Sequence, residues 1–508
     1  MDLLAAPRET GVRTCHGHAH GSRSVPHLKT AFAFSVKSAN RSSKSSSVPT
    51  ALLLEPSFNQ RGVVAKPVFK LARPAGPPGD IEITVHAHPV AEGWIAEPLW
   101  LCRDGSVPLD GLLPHRGSAP FLSRSEAVED ALCRGVRQAS SQAQRARGSA
   151  AWTERVDRLR TWVSDTMVEV RASDETLPLR GVTVADIFSG GSGGFGIALA
   201  GLGASVELAC EIDPEARAIY QRNVRPKRMH GDICALDPKS VDVDILTMGL
   251  LCQAFSPAGD GLGFADPRRA APYHAALRLL REAEAKVVVI ECAKQLMTQS
   301  GGKDGDELIA TLLAAGYRAQ HRVLDAAGFG VPQRRERSVI VATRVGMDLD
   351  GLVGVLFPEE RPATATVADI MDAGVPATIA DSEIEFRTGT RRGRASDLPQ
   401  VGIVGGRNSQ GYRVYDPARG VGPTMTASGG GRARFSGAYR VEGGARALTP
   451  REACRMQGIP EWAEHHATHQ RAMQHAGNAV AVPVAKEIGR ALAAALRLPR
   501  SAATAGCP

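Results

Sequence analysis

The sequence predicts an α/β protein built around a doubly wound, mostly parallel sheet. From residue 181 onward, short apolar runs that end in turn residues alternate with segments of helical periodicity. This order of elements is typical of a parallel sheet with helices on both faces. Two further observations support this fold: a glycine-rich turn follows the first apolar run, and polar or reactive side chains stand where later runs end. In such sheets ligands bind beyond the carboxyl ends of the strands.

Residues 1–78 lack this pattern and are expected to form a disordered basic tail. The first 75 residues hold eleven Lys and Arg against three Asp and Glu, so they carry the whole formal net charge of +8. The stretch "SANRSSKSSS" is polar and of low complexity, which is typical of disorder. Such a tail can hold a polyanion nonspecifically, be merely solvated, or serve as an organellar transit peptide.

Residues 79–150 are expected to form a small α+β module, and residues 151–178 a linking helix. "DIEITVHAHP" alternates apolar and polar residues as a half-buried strand does. "SRSEAVEDALCRGVRQASSQ" begins with a serine that can cap a helix and continues with helical spacing. No catalytic constellation occurs in this module, and its purpose stays open.

The first unit of the sheet predicts a nucleoside cofactor site. In "GVTVADIFSGGSGGFGIALAGLGASVELACEID" a strand ends at Asp186, a glycine-rich turn follows, and a second strand leads to Glu211 and Asp213. Glycines let a ligand approach the backbone, and an acid after the second strand can accept hydrogen bonds from ribose hydroxyls. An ordinary tight turn without a ligand is the alternative.

Three more strands end in residues that can take part in chemistry. Asp232 follows the third strand in "HGDICAL", Cys252 follows the fourth in "MGLLCQAF", and Glu291 ends the fifth in "AKVVVIECA". Because the strands are parallel, these residues and Glu211 should lie along one edge of the sheet. Taken singly, an acid after a strand is usually a solvated cap and a lone cysteine a small buried apolar residue.

Cysteine spacing and hydropathy exclude several classes of protein. The nine cysteines are scattered and never spaced as C-x-x-C, so neither a disulfide framework nor a zinc site is expected. The chain has no uninterrupted apolar run of 18 residues and no basic-then-apolar leader at its start. We therefore expect a cytoplasmic protein without membrane contact.

Several motifs occur together in an order that resembles the cytosine-5 DNA methyltransferases. "DIFSGGSGGFG" is similar to the cofactor loop of that family, "LCQAFS" to its Pro-Cys-Gln nucleophile motif, and "ECA" to its Glu-Asn-Val motif. "QRRER" matches a family motif in full, and "GNAVAVPVAKEIG" resembles the C-terminal helix that returns beside the cofactor loop. "GYRVYDPARGVGPTMTASGGG" and "ALTPREACRMQGIP" resemble the segments that flank target recognition.

The resemblance implies a Rossmann-like fold and a division of the chain into domains. A catalytic domain that binds S-adenosylmethionine is expected over 179–345 and 472–497. A small target-recognition domain is expected at 346–471, and a flexible C-terminus at 498–508.

The resemblance also assigns roles to individual residues. Cys252 would attack carbon 6 of cytosine, Glu291 would hydrogen-bond ring N3 and the exocyclic amine, Arg337 would contact the base oxygen, and Arg335 would neutralise nearby charge. The residues implied to bind the cofactor are Phe188, Gly190, Gly194, Glu211, Asp232 and Asn478.

The implied function is methyl transfer to carbon 5 of cytosine in double-stranded DNA at a short sequence. The resemblance suggests a monomer that is bound to the nucleoid through DNA and acts beside a cognate restriction nuclease. Three departures from the family pattern keep other functions open: Leu251 replaces a proline, Cys292 an asparagine, and the cofactor loop is one residue longer. The alternatives are a catalytically silent DNA-binding or regulatory relative and an RNA cytosine-5 methyltransferase.

Overall fold

The computed structural model describes most of the chain from residue 69 onward. The described ranges are 69–73, 80–90, 93–102, 120–145, 149–250, 270–346, 357–386, 400–404, 412–427, 437–465 and 468–496. Cys252, most of the predicted tail and residues 498–508 lie outside them.

An N-terminal unit, residues 69–172, combines an antiparallel sheet with two helices. Its elements are β1 (Phe69–Ala72), β2 (Ile81–Val90), β3 (Gly93–Cys102), α1 (Arg124–Arg145) and α2 (Ala150–Ala172). The strands pair in the order β1-β2-β3. The prediction of a disordered tail is wrong for β1, because this strand pairs with β2 along its whole length and packs Leu71 against the core.

A seven-stranded catalytic sheet follows. Its strands and helices are β4 (Thr183–Ile187), α3 (Gly194–Gly201), β5 (Ser205–Cys210), α4 (Pro214–Asn223), β6 (Arg228–His230), β7 (Asp242–Gly249), α5 (Ala270–Glu282), β8 (Glu284–Ala293), α6 (Lys303–Ala314), β9 (Tyr317–Asp325) and β10 (Glu336–Arg344).

The strand order of the catalytic sheet confirms the predicted fold class. The order is β6-β5-β4-β7-β8-β10-β9, with the first five strands parallel and β10 antiparallel to both of its neighbours. The chain reverses its direction of winding between β4 and β7, which is where a doubly wound sheet opens a crevice for ligands.

Helices cover both faces of this sheet, as the alternating sequence pattern predicts. One face, with Val184, Ile245 and Val339, shares a continuous buried core with α3 and the N-terminal unit. The other face, with Leu246 and Ile340, packs against α5 and α6. The N-terminal unit is therefore part of the main core and not a separate appendage.

A second sheet and four further helices complete the described chain. These elements are α7 (Val367–Ile370), β11 (Ile379–Ala380), β12 (Ile384–Phe386), β13 (Gln400–Val404), β14 (Tyr412–Tyr415), β15 (Ala438–Val441), β16 (Gly444–Arg446), α8 (Pro450–Met456), α9 (His469–Asn478) and α10 (Val482–Leu496). Strands β11 to β16 form a six-stranded sheet in the order β11-β16-β15-β14-β13-β12, called the small sheet below.

The chain returns to the catalytic sheet through α9 and α10. The expected boundary between 471 and 472 falls inside α9, so this helix cannot be divided between two domains. Helix α10 packs against α3, and Gly489 of α10 lies so close to α3 that a Cβ would be 2.7 Å from Leu199. In the described part of the chain, no helix is both long and apolar enough to cross a bilayer.

Candidate active site

The carboxyl ends of β4, β5, β7 and β8 open into a cleft of about 270 Å³ whose far wall is α9 and the turn after it. Eight of the residues singled out from the sequence line this cleft: Phe188, Gly190, Gly194, Glu211, Glu291, Arg335, Arg337 and Asn478. The parallel strands thus bring these side chains together, as expected from their positions at strand ends and in turns.

The glycine-rich turn after β4 exposes its backbone to the cleft. Phe188 has φ +54°, a left-handed conformation that costs a non-glycine residue about 1–3 kcal/mol. Gly190 also has positive φ, and nothing lies within 4 Å of the position a Cβ would take. At Gly194 a Cβ would lie 2.3 Å from the carbonyl oxygen of Val480. The turn therefore contacts the C-terminal segment directly, and only glycine fits there.

Glu211, just after β5, is oriented by main-chain groups. Its Oε2 accepts a hydrogen bond of 3.0 Å from the Gly190 N–H, and its Oε1 accepts one of 2.9 Å from the Asp213 N–H. Each carboxylate oxygen can accept more than one hydrogen bond. Glu211 can therefore hold a diol while it keeps these partners. Beside it, the side chain of Ile212 is 69% exposed and lines the cleft.

Asp232 is not among the residues that line the cleft. Its side chain is exposed and caps a short 3₁₀ turn by accepting a hydrogen bond of 2.9 Å from the Cys234 N–H. Sequence position correctly places it after β6. However, the resemblance assigns the Asp232 carboxylate to the cofactor, and one of its oxygens already accepts this capping hydrogen bond.

A buried carboxyl on the floor of the cleft was not assigned a role from the sequence. Asp186 accepts hydrogen bonds of 2.8 Å from the hydroxyls of Tyr220 and Thr247. Burial raises the pKa of Asp186 to about 6, against the effect of these hydroxyls. The ring of Tyr220 also lies beneath the glycine turn, 3.2 Å from where a Cβ of Gly193 would be. Tyr220 stands in a helix outside any motif, so no signal in the sequence pointed to it.

Glu291 ends β8 as a buried carboxyl beside an arginine. It is 4% exposed, and the Nε of Arg337 lies 3.3 Å from its Oε1. Burial raises its pKa, and the positive charges of Arg337 and Arg335 act in the opposite direction. A raised pKa suits a carboxyl that exchanges a proton with a base. The Leu250 N–H donates to the Glu291 carbonyl over 2.9 Å, so the chain is fastened here two residues before Cys252.

The structure gives Arg335 a second role beside the charge neutralisation implied by the resemblance. Its guanidinium is 2% exposed and donates to the carbonyls of Met425 (3.2 Å), Gly477 (3.2 Å) and Ala479 (2.8 Å). The side chain therefore ties β10 to the segments before and after α9. Its charge still acts on Glu291, but its N–H groups hold the protein backbone.

A comparison with known families decides the identity of this cleft. The profile of the C-5 cytosine-specific DNA methylase family matches residues 182–494. The chain belongs to this family. It is a cytosine-5 DNA methyltransferase, and its methyl donor is S-adenosylmethionine.

Two relatives, both Type II methyltransferases, agree with this assignment. The chain is 31% identical to the Type II methyltransferase M.HhaI of Haemophilus parahaemolyticus, over 63% of this chain and 96% of that protein. It is 31% identical to the Type II methyltransferase M.NgoBI of Neisseria gonorrhoeae, over 59% of this chain and 89% of that protein. Among solved structures, the S. pombe Dnmt2 methyltransferase is similar at 17% identity, with 62% and 98% of the two chains covered and a TM-score of 0.43.

The cleft of this methyltransferase fits S-adenosylmethionine. The open backbone at Gly190 leaves room for a ligand, the Glu211 carboxylate can accept the ribose hydroxyls, and Ile212 offers an apolar surface to a purine ring. When bound, the cofactor supplies a methyl group on a sulfonium, which is an electrophile. These residues would hold it beside Glu291.

Helix α9 closes the methyltransferase cleft with polar side chains that the sequence motifs did not reveal. Arg471, Gln474 and His475 line the cleft, and Arg471 forms ion pairs with Asp213 and with Glu215. These ion pairs join α9 to the start of α4. Asn478, the predicted residue of this helix, is exposed at its end and lines the cleft.

Proposed function

We propose that this methyltransferase modifies a short sequence in double-stranded DNA through a covalent adduct between Cys252 and the flipped-out cytosine. The observation that carries the proposal is the buried Glu291, which shares one cleft with the glycine turn and lies beside Arg337. A base inside a duplex cannot reach such a cleft, and enzymes that act on bases extrude them from the stack.

The proposed reaction needs a nucleophile, an acid and a base. The Cys252 thiolate adds to C6 while Glu291 shares its proton with N3, so that C5 becomes nucleophilic. The cofactor, held by the glycine turn and Glu211, would supply the methyl group that C5 accepts, and its sulfur would keep the electron pair of the broken bond. A base removes the C5 proton, and the electrons of that C–H bond re-form the C5–C6 double bond and expel the Cys252 thiolate. A free cysteine has a pKa of about 8.5, so local positive charge would favour the thiolate.

We further propose that the small sheet belongs to a recognition domain and that the chain acts as a monomer. The small sheet has its own buried cluster, which includes Ile379, Val414 and Ala438, so it can present a surface independently of the catalytic sheet. The similar proteins are named Type II methyltransferases, which supports a role beside a cognate restriction nuclease. Light scattering with and without a DNA duplex tests the monomer.

Covalent trapping tests the proposed mechanism. Three proteins are incubated with S-adenosylmethionine and mixed-sequence DNA containing 5-fluorocytosine: the wild type, Cys252→Ala and the control Cys234→Ala. The control changes another cysteine, one that the structure places at the surface. Fluorine at C5 blocks the final elimination. An adduct stable to denaturant is expected in the wild type and in Cys234→Ala, and none in Cys252→Ala.

Two other outcomes would contradict the proposal in different ways. An adduct that persists in Cys252→Ala would assign the nucleophile to another residue. A wild type that is folded and binds cofactor but forms no adduct with DNA would favour the silent relative, for which Leu251, Cys292 and the longer loop are the motivation. A parallel incubation with RNA that contains 5-fluorocytosine decides between the two polymers.

A further inference from the structure

Helix α1 contacts both the part of the molecule that carries the catalytic sheet and the base of the small sheet. The family profile begins at residue 182, so neither the match nor the motifs assign a role to this helix. It is 22 residues long, from Arg124 to Arg145. At about 1.5 Å per residue it extends over roughly 30 Å.

The first half of α1 is fixed to the catalytic side by buried charges. Glu126 forms ion pairs with Lys486 (2.8 Å) and with Arg490, both on α10. Glu129 accepts a hydrogen bond of 2.9 Å from the indole N–H of Trp462, which is 1% exposed.

Trp462 stands in the segment between α8 and α9, through which the chain passes from the small sheet back to the cleft. Arg171 of α2 donates to Glu129 over 2.8 Å and lies over the Trp462 ring. Two residues further along the chain, the side-chain amide of Asn223 on α4 exchanges two hydrogen bonds with the backbone of Glu464. The connecting segment is thus held at two points.

The second half of α1 reaches the base of the small sheet. Arg137 donates to the carbonyl of Asp369 in α7, and the Gln144 amide donates to Asp372 over 3.3 Å. Helix α7 shares a buried cluster with Tyr415 and Tyr439 of the small sheet. A displacement of the small sheet relative to the catalytic sheet would therefore break both contacts.

We propose that α1 is a strut that fixes the orientation of the small sheet relative to the catalytic cleft. Its first half is fixed to the catalytic side by Glu126 and Glu129, and its second half holds α7. A rigid helix between the two parts restricts their relative rotation. If DNA must touch both parts at once, the strut raises the fraction of molecules ready to bind, and the apparent dissociation constant falls in proportion. The effect on DNA binding rests on the proposed function, whereas the restraint that α1 places on the small sheet does not.

The test removes the two contacts on the side of the small sheet in the full chain. The variant is Arg137→Ala with Gln144→Ala. The control is Arg134→Ala, which removes an arginine one turn away that donates to the Ala96 carbonyl within the N-terminal unit (2.8 Å). Both variants shorten side chains that are partly exposed on the same helix.

Hydrogen exchange gives a readout that needs neither DNA nor activity. Loss of two hydrogen bonds should speed exchange of the backbone amides at residues 369–371 by about tenfold, with no change in β4 and β5. The control should leave residues 369–371 at the wild-type rate. Equal exchange rates of these amides in the variant and the wild type would contradict the proposal that α1 is a strut, even if the chain bound no DNA.

Binding and kinetics then test the consequence for DNA. In the variant the dissociation constant for a DNA duplex and the KM for DNA should rise about five- to tenfold. The value of kcat at saturating DNA and the dissociation constant for S-adenosylmethionine should stay within about twofold, since the cleft itself is intact. An equal loss of cofactor affinity, or the same change in Arg134→Ala, would show general destabilisation and contradict the proposal.

Discussion

Replacing Asp186 by asparagine removes a titratable group from the floor of the cleft while nearly keeping its shape. The side chain is 1% exposed, and burial raises the pKa of the carboxyl from 3.8 to about 6, although two hydroxyls donate to it. Ionisation of Asp186 is therefore less favourable in the folded chain than in the unfolded chain. The protein therefore loses stability as the pH rises through the window in which this carboxyl is protonated in the folded state only.

The sign and size of the effect follow from proton linkage. Between pH 3.8 and about 6 the folded state binds more protons at Asp186 than the unfolded state, so the free energy of unfolding falls as the pH rises. The difference between the two pKa values corresponds to about 3 kcal/mol over the whole window, of which about 1 kcal/mol is lost between about pH 5 and pH 7. Asp186→Asn has no carboxyl at this position, so its free energy of unfolding does not decrease in this way. Its stability relative to the wild type should therefore rise by about 1 kcal/mol over that interval.

Urea unfolding of the cofactor-free chain, followed by circular dichroism at several pH values, measures the difference. Asp244→Asn is the matched control, because hydrogen bonds from Lys286 and Thr183 outweigh the burial that raises the pKa of Asp244, and its pKa is lowered. The stability of Asp244→Asn relative to the wild type should stay constant between about pH 5 and pH 7. It should change only below about pH 3.8, where it falls as the pH rises through the lowered pKa. A difference for Asp186→Asn that is constant with pH, or that falls, would refute the reasoning.

Three further outcomes follow from the geometry of the cleft. Gly194→Ala, which places a Cβ 2.3 Å from a main-chain oxygen, should weaken S-adenosylmethionine binding by about tenfold in calorimetry. Gly201→Ala on the same helix, with 4.0 Å of clearance, should not. Glu291→Gln should lower kcat by at least about a hundredfold with cofactor affinity unchanged, and a smaller loss would argue against proton transfer by this carboxyl. Arg335→Ala should lower the free energy of unfolding, measured with urea, by about 3 kcal/mol, because three carbonyls lose a charged donor. Arg337→Ala should lower it by under about 1 kcal/mol and should act mainly on kcat.

Positions at strand ends could be predicted because strand direction alone determines them. Glu211 and Glu291 follow apolar runs, and parallel strands place both at one edge of the sheet. The glycine turn was predictable for a similar reason, since its residues need positive φ or close backbone approach. These features depend on local sequence and on one rule of topology.

Roles that depend on distant backbone could not be predicted. Arg335 lies in a motif that matches in full, yet its three partners are carbonyls from residues 90 to 144 positions away, and carbonyls leave no mark in a sequence. Tyr220 reads as an ordinary helix residue until the fold brings it under the glycine turn. For Asp232 the strand end was predicted correctly, but the sequence does not say whether a side chain turns to the ligand or to its own backbone.

The packing of α9 and α10 against the glycine turn has a consequence for how the chain is made. The turn at Gly190 leaves the ribosome about 290 residues before the Ala479 segment that closes it, a delay of roughly 15 to 60 s at ordinary rates of synthesis. Throughout that interval the nascent catalytic sheet lacks its last wall. A circular permutant that begins at α9 and continues through a linker into the original N-terminus would synthesise this wall before the glycine turn, and should acquire cofactor binding earlier in translation.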